Sequence, residues 1–132
     1  MAKILIAHVD GKMMTCMGAF GDRLRYADYD VIEISIIPVP SDDWQAVEEN
    51  NFKCLTDLLT GKPVFIEFDL VIIFDEFEHI LKRIKNVVPT KVPVFYVDIF
   101  RETKPVEGFT WFSGVGVLPS TILEEADKLL KK

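Results

Sequence analysis

Three short stretches of this chain are apolar almost without interruption, and they constrain its fold more than any other feature. They are Ile4-Leu5-Ile6-Ala7-His8-Val9, Leu70-Val71-Ile72-Ile73-Phe74 and Val92-Pro93-Val94-Phe95-Tyr96-Val97. A strand with one face in water alternates apolar and polar residues, whereas an unbroken run marks a strand covered on both faces. Each run is far shorter than the roughly 20 residues needed to span a bilayer. Segments with helical spacing lie between them. Double-covered strands alternating with helices describe an α/β sandwich around a mostly parallel sheet, with these three runs central and parallel.

The remaining elements fit around that core. Val31 to Ile37 alternates, with Ile32, Ile34 and Ile36 opposed to Glu33 and Ser35, as expected of a strand at a sheet edge. Residues 12–28 hold three glycine interruptions nearby (Gly11, Gly18, Gly21), and Leu24 with Ala27 predict a helix that is weak or starts late. A helix is predicted to run from Ser41 or Asp42 as cap, with Gln45 as box partner, to Thr60, before Gly61-Lys62-Pro63. Phe77, Ile80, Leu81 and Ile84 have the i, i+3, i+4, i+7 spacing of a second amphipathic helix. Phe109 to Phe112 is a short aromatic strand. A last helix is predicted after Pro119, with Ser120 or Thr121 as cap and Glu124 as partner.

The order βαβαβαββα gives one domain over residues 1–132, a flavodoxin-like three-layer sandwich with strand order 2-1-3-4-5. Only 11 residues separate Val97 from Phe109. Parallel crossovers usually take a dozen or more, with a helix, so the last strand is expected to run antiparallel.

Charge and cysteine content narrow the functional classes. In 132 residues, 15 Lys and Arg face 21 Asp and Glu, and a net charge of −6 repels phosphate backbones and anionic lipid. Nucleic-acid and membrane-surface partners are therefore not expected. Cys16 and Cys54 match no metal or redox spacing and read as reduced thiols of a cytoplasmic protein. The start of the chain does not have the form of a signal peptide. A single Gln and three Asn among many charges is a bias common in thermophile proteins.

The candidate chemistry gathers at strand ends. In a parallel sheet ligands bind outside the carboxyl ends of the strands, near the reversal of strand order. Asp10, Asp75 with Glu76, and Asp98 follow the three central strands. Converging there, Asp10, Asp75 and Asp98 could hold Mg²⁺ and support phosphate chemistry as catalytic or metal residues. The same residues also have structural uses: Asp75 with Glu78 has helix-cap spacing, and Asp10-Gly11 is a turn pair. His8, at the end of the first strand, is a candidate base or phosphoryl acceptor and equally a hydrogen-bonded core histidine. Gly11, Gly18 and Gly21, and the loop of Gly114 and Gly116 before the last helix, are candidate ligand-binding glycines. Met13, Met14, Cys16 and Met17 are soft donors suited to Cu(I), although core packing is the commoner use of methionine. Six residues separate Cys16 from Arg23, one too many for a phosphatase loop.

Some outlines resemble known families. The finish from Val92-Pro93 through Gly116 to Leu123 and Leu130 is similar to the end of a thioredoxin, which makes a thioredoxin-like fold the alternative. Pro40-Ser41-Asp42-Asp43 lacks the Cys-x-x-C of that family, so thiol exchange is not implied. Asp75 at the end of the third strand resembles a response-regulator receiver domain, but Leu118 stands where that family has a Lys before Pro. His8 with Asp75 resembles mannose-type sugar-phosphotransferase proteins, without the Gly-Gly-Ser-Pro those carry after the Asp. The expectation is a ligand- or protein-binding module without established catalysis. The alternatives are an Mg²⁺-dependent phosphate-handling enzyme using Asp10, Asp75 and Asp98, or phosphotransfer through His8. Met13, Met14 and Trp44 are candidate contact residues, and the edge strand at 109–112 could pair across a homodimer.

Overall fold

A computed structural model describes residues 1–9, 20–36, 42–60, 68–74, 78–87, 92–98, 104–114 and 117–131. The elements run β1 (Lys3–Val9), α1 (Phe20–Tyr26), β2 (Asp30–Ile36), α2 (Trp44–Thr60), β3 (Leu70–Phe74), α3 (Glu78–Val87), β4 (Val94–Asp98), β5 (Thr110–Ser113) and α4 (Pro119–Leu130). The strands form one sheet in the order β2-β1-β3-β4-β5. This is the flavodoxin-like order, and the three unbroken apolar runs occupy its centre. The alternating segment forms edge strand β2.

The period-2 geometry of the strands separates two cores. Ile4 and Ile6 of β1, with Ile72 and Phe74 of β3, pack under Phe20 of α1 and Ile122 of α4. Leu5 and Ala7, with Val71 and Ile73, face the other way toward Leu55 of α2 and Leu81 of α3. All of these are buried. Burying such an aliphatic side chain stabilises the fold by about 1.5–3 kcal/mol, which explains why runs this apolar become the sheet's interior.

The last strand corrects the expectation from connection length: β5 runs parallel to β4, with Phe95 opposite Thr110 and Asp98 opposite Ser113. The physical reason is reach. Returning past a five-residue strand takes roughly 16 Å at a strand's rise per residue, and the eleven residues 99–109 can span more than twice that when extended. A helix is one way to make such a return, but residues 104–109 contain none. Buried Val106 and half-buried Phe109, the latter packed on the α2/α3 core, anchor this crossover instead.

Several boundaries differ from the sequence reading, three of them for a definite local reason. The cap of α2 is Asp43: its carboxylate accepts from the Gln45 and Ala46 amides at 3.0 and 3.4 Å. Asp42 lies one residue outside, and Ser41 is outside the described residues. Helix α4 begins at Pro119 with Leu118 as N-cap and no side-chain cap bond. Proline at the first helical position has a pre-set φ and lacks one of the N–H groups a cap would serve. Finally, β4 starts at Val94 because Pro93 has no N–H to give the ladder, although its carbonyl still accepts from Val71 at 3.0 Å.

Helix α1 is short and ends in a defined way. Asp28 has φ +68°, the Asp28 amide bonds to the Arg25 carbonyl at 3.0 Å, and the Tyr29 amide bonds to the Leu24 carbonyl at 3.1 Å. These two bonds are the Schellman pattern, with an aspartate where glycine is the usual residue. Leu24 and Tyr29 are both buried in the first core, so the turn delivers the chain directly into β2.

Candidate functional site

Because all five strands are parallel, all five carboxyl ends lie along one rim. Strand order reverses between β1 and β3: the connection leaving β1 carries α1, which packs on one face, and the connection leaving β3 carries α3, which packs on the other. Divergence of neighbouring connections opens a crevice at the carboxyl ends of such a pair. Val9 and Phe74 are the last residues of the two strands that border it.

Register places the site residues along this rim. His8 is opposite Phe74, Phe74 opposite Val97, and Val97 opposite Phe112, which makes one row across four strands. His8 is half-buried. It shares its strand face with Ile4 and Ile6 and so belongs to the α1/α4 side of the sheet. The next ring in the row, Phe74, meets Phe20 of α1 edge-on at 5.8 Å between centroids.

Asp98 is one position farther along β4 and lies on the opposite, α2/α3 side, in line with Val94 and Tyr96. It is 3% exposed, a buried charged residue at the end of a central strand. Ser113 is its neighbour on β5, and the Gly114 amide donates to the Asp98 backbone carbonyl at 2.9 Å. One pair earlier on the same face, the Tyr96 and Trp111 rings stack at 4.1 Å with a 20° tilt. Asp98 is therefore framed by an aromatic stack and the start of the Ser113–Gly114 turn. Gly114 has φ +95°, a left-handed conformation that favours glycine.

His8 and Asp98 do not come together. β3 stands between their strands, and they project from opposite faces of the sheet. Asp10, Asp75, Gly11, Gly18 and Gly116, with Met13, Met14, Cys16 and Met17, lie outside the described residues. Among the described residues no three His, Cys, Asp or Glu side chains gather in a way that could hold a metal ion. Gly21 is buried inside α1, and the space a Cβ would need there is taken by the Glu33 carboxylate from β2. Trp44 is 79% exposed at the first turn of α2, which by topology also faces the carboxyl rim.

Two contributions were not anticipated from the residues alone. The Tyr96–Trp111 stack needs the parallel β4–β5 register, which the connection length argued against. The contacts of Arg25 with Asp22 and with the Val31 carbonyl leave only the three-residue spacing from Asp22 as a trace in the sequence.

The chain matches no known protein-family model and no curated protein. Among the described residues no helix is long and apolar enough to cross a membrane.

Proposed function

We propose that this domain is a binding module that takes a small molecule or a protein partner at the carboxyl rim of its sheet, without established catalysis. The observation that carries the reading is Asp98: a buried carboxylate at the end of a central parallel strand, beside an aromatic stack. A buried carboxylate must be compensated by hydrogen bonds or charge, so a domain of this size places one there at the expense of an easier apolar residue. The rim is also where sheets of this order receive ligands. A cytoplasmic setting suits the free thiol of Cys54. The net charge of −6 argues for partners other than nucleic acid. A homodimer through the strand at 109–112 belongs to the same reading.

The burial of Asp98 also favours a second reading, in which Asp98 joins Asp10 and Asp75 around Mg²⁺ to handle a phosphorylated substrate. One experiment separates the two. Thermal unfolding is followed with nucleotides, sugar phosphates and small carboxylic acids, each with and without millimolar Mg²⁺, for the wild type and Asp98→Asn. A ligand of the native state raises the midpoint by mass action. A rise of several degrees that is independent of Mg²⁺ and lost in Asp98→Asn supports the binding module. A rise that requires Mg²⁺ supports the metal reading. If no compound moves the wild-type midpoint, both small-molecule readings fall.

A further inference from the structure

The outer edge of β2 carries a contact that the binding reading does not use. Successive residues of a strand turn their backbone groups to alternate sides. The Asp30 amide donates to the Ala2 carbonyl of the segment entering β1 at 2.9 Å, so Asp30, Ile32, Ile34 and Ile36 direct their backbone groups inward. Val31, Glu33 and Ser35 therefore direct theirs outward, to the side where a sixth strand would add.

One of those outward groups is already taken. Arg25 of α1 reaches to the sheet edge, and its Nη2 donates to the Val31 carbonyl at 3.2 Å. Its Nη1 donates to Asp22 at 2.9 Å, while the Glu33 carboxylate lies 3.9 Å away. Gly21 makes room for that carboxylate, since a Cβ at this position would collide with it. The two outer nitrogens of the guanidinium fork thus serve a helix acid and a strand carbonyl separately. The strand it guards is seven residues long and displays Ile32 at 36% exposure. Among the described residues no further strand pairs with this partly apolar edge; such an edge invites pairing with another chain, and a charged side chain placed along it is a known way of blocking that.

We infer that Arg25 is a plug on the β2 edge: it keeps the sheet at five strands, and the occupant it excludes is the β2 edge of a second copy of this chain. Antiparallel pairing of two Asp30–Ile36 strands about Glu33 would set Ile32 opposite Ile34 on one face, with the two Glu33 side chains opposite each other on the other. Strand addition requires Arg25 to leave the Val31 carbonyl.

The test is sedimentation equilibrium of the full chain over a hundredfold concentration range, with far-UV circular dichroism to confirm folding. Arg25→Ala should show a weight-average mass rising to at least 1.5 times that of the wild type at the highest concentration. Adding Ile32→Lys to Arg25→Ala puts a charge back on the same edge and should return the mass to the wild-type value. A folded Arg25→Ala whose mass equals that of the wild type throughout overturns the inference. So does a raised mass that persists in the double variant, because association then uses another surface. Should Arg25→Ala fail to fold, Arg25→Met decides, since it keeps an unbranched side chain while removing the charge and the donors: a raised mass supports the plug, and wild-type behaviour overturns it.

Discussion

The two edges of this sheet are held in place by different physics. At the β5 edge the strand is four residues long and its crossover shows no helix over residues 104–109, yet aromatic rings clamp it on both faces. Phe112 meets Phe95 at 5.3 Å on one side, and Trp111 stacks on Tyr96 at 4.1 Å on the other. At the β2 edge the strand is seven residues long and polar groups tie it down. Arg25 holds the Val31 carbonyl. At the strand's entrance the buried Tyr29 hydroxyl donates to Asp127 of α4, with Lys131 over its ring at 5.0 Å. A four-residue edge strand can thus be secured by aromatic burial on both of its faces. Polar ties can secure a longer strand while also closing its free side.

This contrast predicts unequal responses to substitution. The largest effect should come at β5: Phe112→Ala removes a ring that is only 8% exposed and leaves Phe95 without its partner, costing about 3–5 kcal/mol. Urea unfolding measures this directly. A cost below that of the β2 substitutions would reverse the comparison.

At β2, Tyr29→Phe removes one hydrogen bond and keeps the ring, for a cost of about 1 kcal/mol. The same pair adds a pH signature. Burial first, then the hydrogen bond to Asp127 and its negative charge, raise the Tyr29 pKa far above the ordinary value of 10. A pKa raised in the folded state means that the folded protein holds this proton more tightly than the unfolded chain. The stabilisation is complete below pH 10 and is lost as pH climbs from 10 toward the folded value, at up to about 1.4 kcal/mol per pH unit. Wild-type stability should therefore fall more steeply above pH 10 than that of Tyr29→Phe. Parallel curves for the two proteins would remove Asp127 from the argument.

The smallest effect has the opposite sign. Asp28 holds φ +68° at the end of α1, where glycine adopts the conformation without strain. Asp28→Gly should stabilise the native fold by about 0.5 kcal/mol, because relief of the left-handed strain outweighs the added freedom of the unfolded chain. The measurement is the same urea midpoint, and a lower midpoint would show that the Asp28 side chain contributes to the turn.

Much of the architecture is legible from local pattern. A strand covered on two faces has nowhere to place polar side chains, so residues 4–9 and 70–74 could only be central. Ile32, Ile34 and Ile36 alternating with Glu33 and Ser35 mark a strand with one wet side. Helices α3 and α4 show their buried stripes for the same reason. His8 and Asp98 were also readable as strand-end residues, because His8 is next to last in one apolar run and Asp98 directly follows another.

Other features belong to the tertiary structure alone. The direction of β5 was not written in its connection, since eleven residues reach far enough for either geometry and aromatic packing chose between them. The choice of Asp43 over Asp42 as cap depends on where α2 leaves the sheet, as several residues nearby could accept the same amides. Within each strand the sequence by itself determined which residues share a face. Whether the face carrying His8 is also the face carrying Asp98 depends on how β1, β3 and β4 are aligned, and a shift of one residue would exchange the faces. Only the folded sheet sets that alignment, and it puts His8 under α1 and α4 and Asp98 under α2 and α3. Pattern along the chain records how many sides of an element are buried; the neighbour on each side is set when distant segments pack.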